Sequence, residues 1–495
     1  MSESDALNMF YRELSELYQL RSIAGLLGWD QQVLLPRQAS AARADQLQLI
    51  SSIIHSRFTS PAFVRMVDQL RSQDDLLGDN DRINLRETVR ELERTQKLPA
   101  TFVAERARAN ALSYSAWARA RAENNFKLVE DYLKQNLELA RREAEFVGYN
   151  TDIYDALLDK YEPYCSVAEI RPLFLKLVKE LSIIVPQVKS KLGDVPKVDG
   201  KFSVFNQEKL NKKVAEDLGF DFDRGRLDVT LHPFASSLGP HDIRMTTRYR
   251  EDNYLSSLYS TMHETGHALY EQGLPSELAG TPLAEAVSLG IHESQSRFWE
   301  NIVGRSHSFS IYLHRLLDQF FPDEARRLEA HDLWRSVNSV QPSLIRVDAD
   351  EVTYSIHVVI RMLLEESLIK GDLEVSELPA AWNEMYYRYL GIEVPNDSMG
   401  VLQDVHWYSG MFGYFPTYVL GNFYGAMVYD VMLDELPLFH RYVEQGDFAP
   451  LLKWLRDKIH QHGMRFTALE LIGKISGESL SEQPFLNYIR TKFSL

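Results

Sequence analysis

One cysteine, Cys165, is all that the 495 residues contain, so no internal disulfide can form. No other Cys or His stands near it at zinc-finger spacing, which fits a reducing compartment. The sequence also lacks any uninterrupted run of the 18 or more apolar residues that a membrane span requires. Its start, Met1-Ser2-Glu3-Ser4-Asp5, has neither the basic n-region nor the apolar h-region of a secretory signal. Positive charge is scarce, the formal net charge being −16. Nucleic-acid affinity comes from clustered Lys and Arg, so nucleic acid is not an expected partner. These absences lead to the expectation of a cytoplasmic protein with no membrane segment.

What is present is the composition of a folded chain, with 45% hydrophobic and 25% charged residues. The length admits one large two-lobed unit or two to three domains. Apolar residues recur at three- and four-residue intervals over residues 7–27, 83–92, 129–147 and 170–192, which predicts a mainly α protein of long helices. Breaks are expected at Pro36, Pro61, Pro99, Pro163 and residues 193–201, and no internal repeat is visible. Residues 227–231 and 243–249 change to short extended runs, a β-hairpin or small sheet. A helix over 254–273 follows, with Leu255, Leu258, Met262 and Leu269 as its buried stripe and Gly273 and Pro275 as its stop. A second helix is expected over 283–303.

The chemistry concentrates in His263-Glu264-Thr265-Gly266-His267. Two imidazoles four residues apart on a helix point from one face toward one ion, and Glu264 stands beside them to handle a water. The bland alternative is an exposed helix that happens to carry two histidines. A catalytic zinc wants three protein ligands and an open position, so a third ligand should sit nearby. The helix over 283–303 offers Glu285, Glu293 and Glu300. Glu293 is the choice, because His292-Glu293-Ser294-Gln295-Ser296 is a polar cluster in mid-helix rather than a solvated face of Lys/Glu pairs. His292 is then a packed histidine behind the ligands.

With these residues the chain resembles the carboxypeptidase Taq type of metallocarboxypeptidases over nearly its whole length. The further motifs are His232-Pro233-Phe234, Asp242-x-Arg244-x-Thr246, His292-Glu293-Ser294-Gln295, Ile345-Arg346-x-x-Ala349-Asp350 and Gly400-x-x-Gln403-Asp404-x-His406-Trp407, with Trp29-Asp30-Gln31 near the start. The resemblance implies a single catalytic unit over 1–495, of two helical lobes around a deep groove, with the metal site within 226–420. It also implies a homodimer, zinc or cobalt as the ion, and removal of a broad range of C-terminal residues from peptides.

Beyond the ion and its base, the reaction needs a donor for the oxyanion and a cation for the substrate α-carboxylate. His406, Tyr414 and Tyr418 are the donor candidates, lying in or beside the Gly-rich stretch 410–418, and the resemblance favours His406 and Tyr418. Most of the 24 tyrosines must be core or surface residues, which weighs against any single one. Arg346 is the first choice for the carboxylate, its planar fork matching two oxygens. Without the resemblance, an ion pair of Arg346 with Asp348 or Asp350 is the preferred account. Arg244 and Thr246 are placed on a strand that could hold substrate backbone at a free sheet edge, with Met245 facing a substrate side chain. His232-Pro233-Phe234 shapes the wall of the site. A metallo-oligopeptidase would share the ion chemistry without needing the carboxylate cation. A helical scaffold with a structural ion would close all four positions and would not need Glu264.

Overall fold

Helices begin where the chain supplies a cap and end at its breaks, as seen in a computed structural model describing residues 3–198, 200–325 and 329–495. The Ser60 hydroxyl accepts from the Phe63 amide at 3.2 Å, and Ser166 and Glu169 form a reciprocal capping box. Helices α1 (Glu3–Val33), α2 (Ser40–Phe58), α3 (Pro61–Arg71) and α4 (Asp79–Lys97) close around a core of their own that includes Phe10, Leu17, Phe63 and Leu70. A larger core runs from Ala116 to Phe493. To it α5 (Ala100–Ala122), α6 (Glu130–Val147), α7 (Ile153–Leu158), α8 (Val167–Leu192) and α9 (Val204–Asp217) contribute before the sheet. The result is a mainly α, two-lobed molecule with a deep central groove. Among the described residues no helix is long and apolar enough to cross a membrane.

The sheet has three strands, β1 (Gly225–Val229), β2 (Ala235–Ser237) and β3 (Ile243–Thr247), in the order β1-β3-β2. The small sheet is there, but the two runs read from the sequence do not form a hairpin with each other; β3 pairs antiparallel with β2, a strand the sequence did not reveal, with Ala235 opposite Met245. Strand β1 runs parallel to β3, with Gly225 opposite Ile243 and Val229 opposite Thr247. This overturns one expectation. With β3 in the centre, its backbone is paired on both sides, and the strand carrying Arg244, Met245 and Thr246 has no free edge for a substrate.

Helix α10 (Tyr254–Gly273) follows with the bounds read from the sequence, its Asn253 cap accepting from the Ser256 amide at 3.2 Å. The next helix differs from expectation. A single 3-10 turn covers Pro282–Ala284, and α11 (Leu289–Arg297) starts only after the Ser288 cap. It then widens into a π-helical turn over Phe298–Val303. Wide turns of this kind re-aim side chains and recur at functional sites; this one carries Glu300 toward α10. Helices α12 (His307–Phe320), α13 (Pro322–Ala325), α14 (Ala330–Val337), α15 (Glu351–Lys370), α16 (Leu378–Leu390) and α17 (Pro416–Glu435) come next. The chain ends with α18 (Phe439–Gln445), α19 (Ala449–Lys458), α20 (Ala468–Ser476) and α21 (Gln483–Phe493).

Two glycines let α11 lie between α10 and α17. A Cβ on Gly266 would sit 2.6 Å from the Gln295 carbonyl oxygen, and one on Gly421 would sit 2.6 Å from Cγ of Glu293. No ordinary side chain fits at such distances, so the two hydrogens set how closely Glu293 approaches His263 and His267.

Candidate metal centre and substrate groove

His263 and His267 stand on the partly open face of α10, and Glu293 faces them from α11. The Glu293 Oε2 atom is 3.7 Å from Nε2 of His263 and 3.6 Å from Nε2 of His267. One ligand atom from each residue falls within 4.8 Å of the others, close enough for all three to reach one ion. The other Glu293 oxygen is engaged, accepting from Arg297 Nε at 2.7 Å, so a single oxygen is left to face the imidazoles.

The far nitrogens of both imidazoles have acceptors. Nδ1 of His263 is 2.9 Å from Glu300 Oε2, and Nδ1 of His267 is 3.1 Å from the His292 carbonyl oxygen. Such acceptors hold the proton on Nδ1 and leave the Nε2 lone pair for an ion. A chain of contacts extends behind His267: its Nδ1 lies 2.6 Å from His292 Nδ1, and His292 Nε2 lies 2.9 Å from Glu271. His292 thus packs against His267 on the side away from Glu293's oxygen. Of the other two acidic candidates, Glu300 is the partner of His263, while Glu285 lies apart, 4.0 Å from Arg21. The donor set, two imidazole nitrogens and one carboxylate oxygen, fits a divalent ion with an open position.

Glu264 is buried one residue from His263. Burial pushes its carboxyl up to about 7, with Glu293 and Glu300 adding to the rise and His263 opposing it.

Across from α10, the segment 403–418 brings a second set of residues together. Nε2 of His406 is 3.3 Å from the Tyr418 hydroxyl, and the Tyr414 ring packs at 5.3 Å from Tyr418 and 5.4 Å from His406. Burial pushes His406 down to about 4, with Asp404 opposing, so the imidazole is neutral near pH 7. One buried carboxylate pins this segment. Glu365 accepts from Trp407 Nε1 and from the Gly413 amide, each at 2.5 Å, and from the Tyr154 hydroxyl at 2.7 Å.

Arg346 is buried, and its partner is neither Asp348 nor Asp350. Its Nε and Nη2 donate to Asp404 Oδ1 at 3.1 and 2.7 Å, and Nη1 donates to the Tyr354 hydroxyl at 3.0 Å. Arg361, fully buried, donates to the other Asp404 oxygen at 2.5 Å and to Gln403 at 2.7 Å. Burial alone would raise the Asp404 carboxyl, but the two guanidiniums overcome it and hold it far below the usual carboxylate range. The fork of Arg346 is therefore taken up inside the protein. Its charge still lies 5.1 Å from the Tyr418 ring.

The three residues of β3 are also engaged. Arg244 forms a two-pronged pair with Asp242 at 2.8 Å and stacks 4.4 Å over the ring of Trp29, whose other neighbour is Arg226 at 5.3 Å. Thr246 is buried, its hydroxyl accepting from the Phe234 amide at 2.9 Å, which fixes the His232-Pro233-Phe234 segment against the sheet. Met245 is buried against α10, its sulfur 3.5 Å from the Thr265 hydroxyl. It faces the metal helix rather than a substrate side chain, because alternate residues of a central strand point to opposite faces and this one meets the core. Sequence reasoning did not single out Arg297, Tyr354, Arg361 or Glu365. For Arg361 and Glu365 the signal was there, as charges set in the apolar run of α15.

Comparison with known proteins gives the chain's family. The family described as carboxypeptidase Taq (M32) metallopeptidases matches residues 9–493. Thermostable carboxypeptidase 1 of Thermus thermophilus is 39% identical, with 97% of this chain and 96% of that protein covered. Carboxypeptidase 1 of Bacillus subtilis is 36% identical, with 98% and 97% covered. Among solved structures, the M32 carboxypeptidase of Deinococcus radiodurans is similar with a TM-score of 0.96 at 36% identity, over 99% of both chains. The chain belongs to the carboxypeptidase Taq (M32) family of metallopeptidases, and is thus a metallocarboxypeptidase, a peptide hydrolase.

Proposed function

We propose that the enzyme removes C-terminal residues of many kinds from peptides, with His263, His267 and Glu293 holding the ion and Glu264 serving as general base. The observation that supports this best is the convergence of two imidazole nitrogens and one carboxylate oxygen beside a buried, otherwise uncommitted carboxyl. Held by these three residues, a divalent ion would supply Lewis acidity, lowering the pKa of a water and polarising the scissile carbonyl. Glu264 takes the proton of the attacking water and passes it to the leaving amine. Tyr418, oriented by neutral His406, donates to the developing oxyanion, and Tyr414 lines the substrate wall. Arg346 acts through its charge near Tyr418, since its fork belongs to Asp404. In this reading Arg244, Met245 and Thr246 hold the wall in place without touching substrate.

Two nitrogens and one oxygen suit zinc in tetrahedral coordination, and cobalt accepts the same set. The reading includes a homodimer in the cytoplasm, resting on the family resemblance and on a single, buried cysteine.

Digesting one peptide with a free C-terminus and the same peptide amidated, followed by mass spectrometry, tests the activity. Successive losses from the free peptide alone are expected; internal cuts in both would make the enzyme an oligopeptidase. The tautomer argument has its own test. Glu300→Gln should weaken ion affinity roughly 10- to 100-fold in a competition with a chelator, because His263 loses its anionic partner. Unchanged affinity would remove Glu300 from the site.

A further inference from the structure

Around Glu143, helices α4 to α7 and the turn after them gather more positive charge than their carboxylates balance. Glu143 Oε1 accepts from Arg94 at 3.3 Å, and Oε2 pairs with Arg106 at 2.5 Å. Lys160 approaches the same Oε1 only to 3.6 Å, beyond hydrogen-bond distance. Counting Arg90 and Asp159, which pair at 3.1 Å, four cations face two carboxylates, in a chain whose net charge is −16. The arginines also have structural duties. Arg94 donates to the Ala156 carbonyl and Arg90 to that of Asp159, both at the C-terminal end of α7. Lys160 has no such duty, and its side chain is 33% exposed.

Its position ties the cluster to the proposed site. Lys160 Nζ lies 5.4 Å over the ring of Tyr161, and Tyr161 packs edge-on to Tyr414 at 5.0 Å. The Tyr161 carbonyl accepts from the Leu289 amide at 3.0 Å, the first residue of the helix that carries Glu293. With the Arg346 fork held by Asp404, Lys160 is a partly exposed cation next to this wall whose ammonium makes no hydrogen bond of 3.5 Å or less to the protein among the described residues.

We propose that Lys160 binds a carboxylate of the peptide substrate, in a subsite that Tyr161 and Tyr414 separate from His263, His267 and Glu293. Two sources share this chemistry, the α-carboxylate and the side chain of an acidic C-terminal residue. Burial and the neighbouring arginines disfavour the Lys160 ammonium, with Glu143 opposing them, and an arriving carboxylate relieves that cost. The subsite rests on the peptidase reading, so its test includes a measurement independent of turnover.

Steady-state kinetics of the metal-loaded wild type, Lys160→Gln and Lys160→Arg are compared on two free-acid peptides ending in a neutral residue or in Glu. If the α-carboxylate is bound, Lys160→Gln raises KM roughly 10- to 100-fold on both peptides, with kcat little changed and Lys160→Arg restoring most of the loss. A loss confined to the Glu peptide assigns the side-chain carboxylate instead. KM unchanged on both overturns the proposal. In parallel, calorimetry of the same peptides with Glu264→Gln, alone and combined with Lys160→Gln, reads binding without cleavage. Binding that depends on Lys160 while the wild type cuts neither peptide keeps the subsite and rejects the peptidase reading. Binding indifferent to Lys160 rejects the subsite whatever the wild type cuts.

Discussion

Glu264→Gln is expected to retain a full complement of ion and to lose turnover by about three orders of magnitude, within the range of roughly 10²–10⁴ that a positioned general base contributes. The amide matches the carboxyl in shape but cannot take a proton from water. The atoms that hold the ion are untouched: Nε2 of His263 and His267 and Oε2 of Glu293 keep their spacing, and Glu300 and the His292 carbonyl still hold the far nitrogens. Because burial already disfavours charge on Glu264, the neutral amide should not lower the melting temperature. Ion content measured by inductively coupled plasma mass spectrometry, beside kcat on a free-acid peptide, separates the roles. An ion-depleted variant would make Glu264 a ligand, and a variant with undiminished kcat would place the base elsewhere.

How far the sequence went depended on whether a feature is decided locally. The bounds of α10 were legible because Gly273 and Pro275 are local stop signals and the apolar stripe before them is continuous. The start of α11 was not. Its Ser288 cap and Gly290 amide are held by Glu162, at 2.9 Å each, from more than a hundred residues away. The extended runs were legible as strands, yet their order was not. Alternation tells which residues share a face, and says nothing of whether β1 returns parallel to β3 and removes its free edge. Arg346 gives the sharpest contrast. Asp348 and Asp350 are its near neighbours in sequence, and its partner Asp404 lies 58 residues on. The motif holding Gln403, Asp404 and His406 was recognised, but only the folded chain shows that its acid serves two buried arginines.

That arrangement carries the second large effect. Asp404→Asn should destabilise the protein by about 3–5 kcal/mol, the cost of breaking a buried ion network from one side. The amide cannot neutralise Arg346 and Arg361, and neither has a carboxylate substitute within reach of its present contacts. Replacing the fully buried partner as well, in Asp404→Asn with Arg361→Met, should recover part of the loss, since the stranded charge goes with it. Asp348→Asn is the control: its side chain is exposed and unpaired with Arg346, so it should change stability by less than about 0.5 kcal/mol. The pH dependence has a definite sign. The folded carboxyl is held below its ordinary value of 3.8, so its contribution is present above about pH 4 and fades below it, as acid protonates the unfolded chain while the folded carboxylate stays charged. The gap in urea midpoint between wild type and Asp404→Asn should therefore be constant from neutral pH to about pH 5 and narrow below pH 4. Equal midpoints at neutral pH would mean that Arg346 and Arg361 find water or another acceptor once Asp404 is gone.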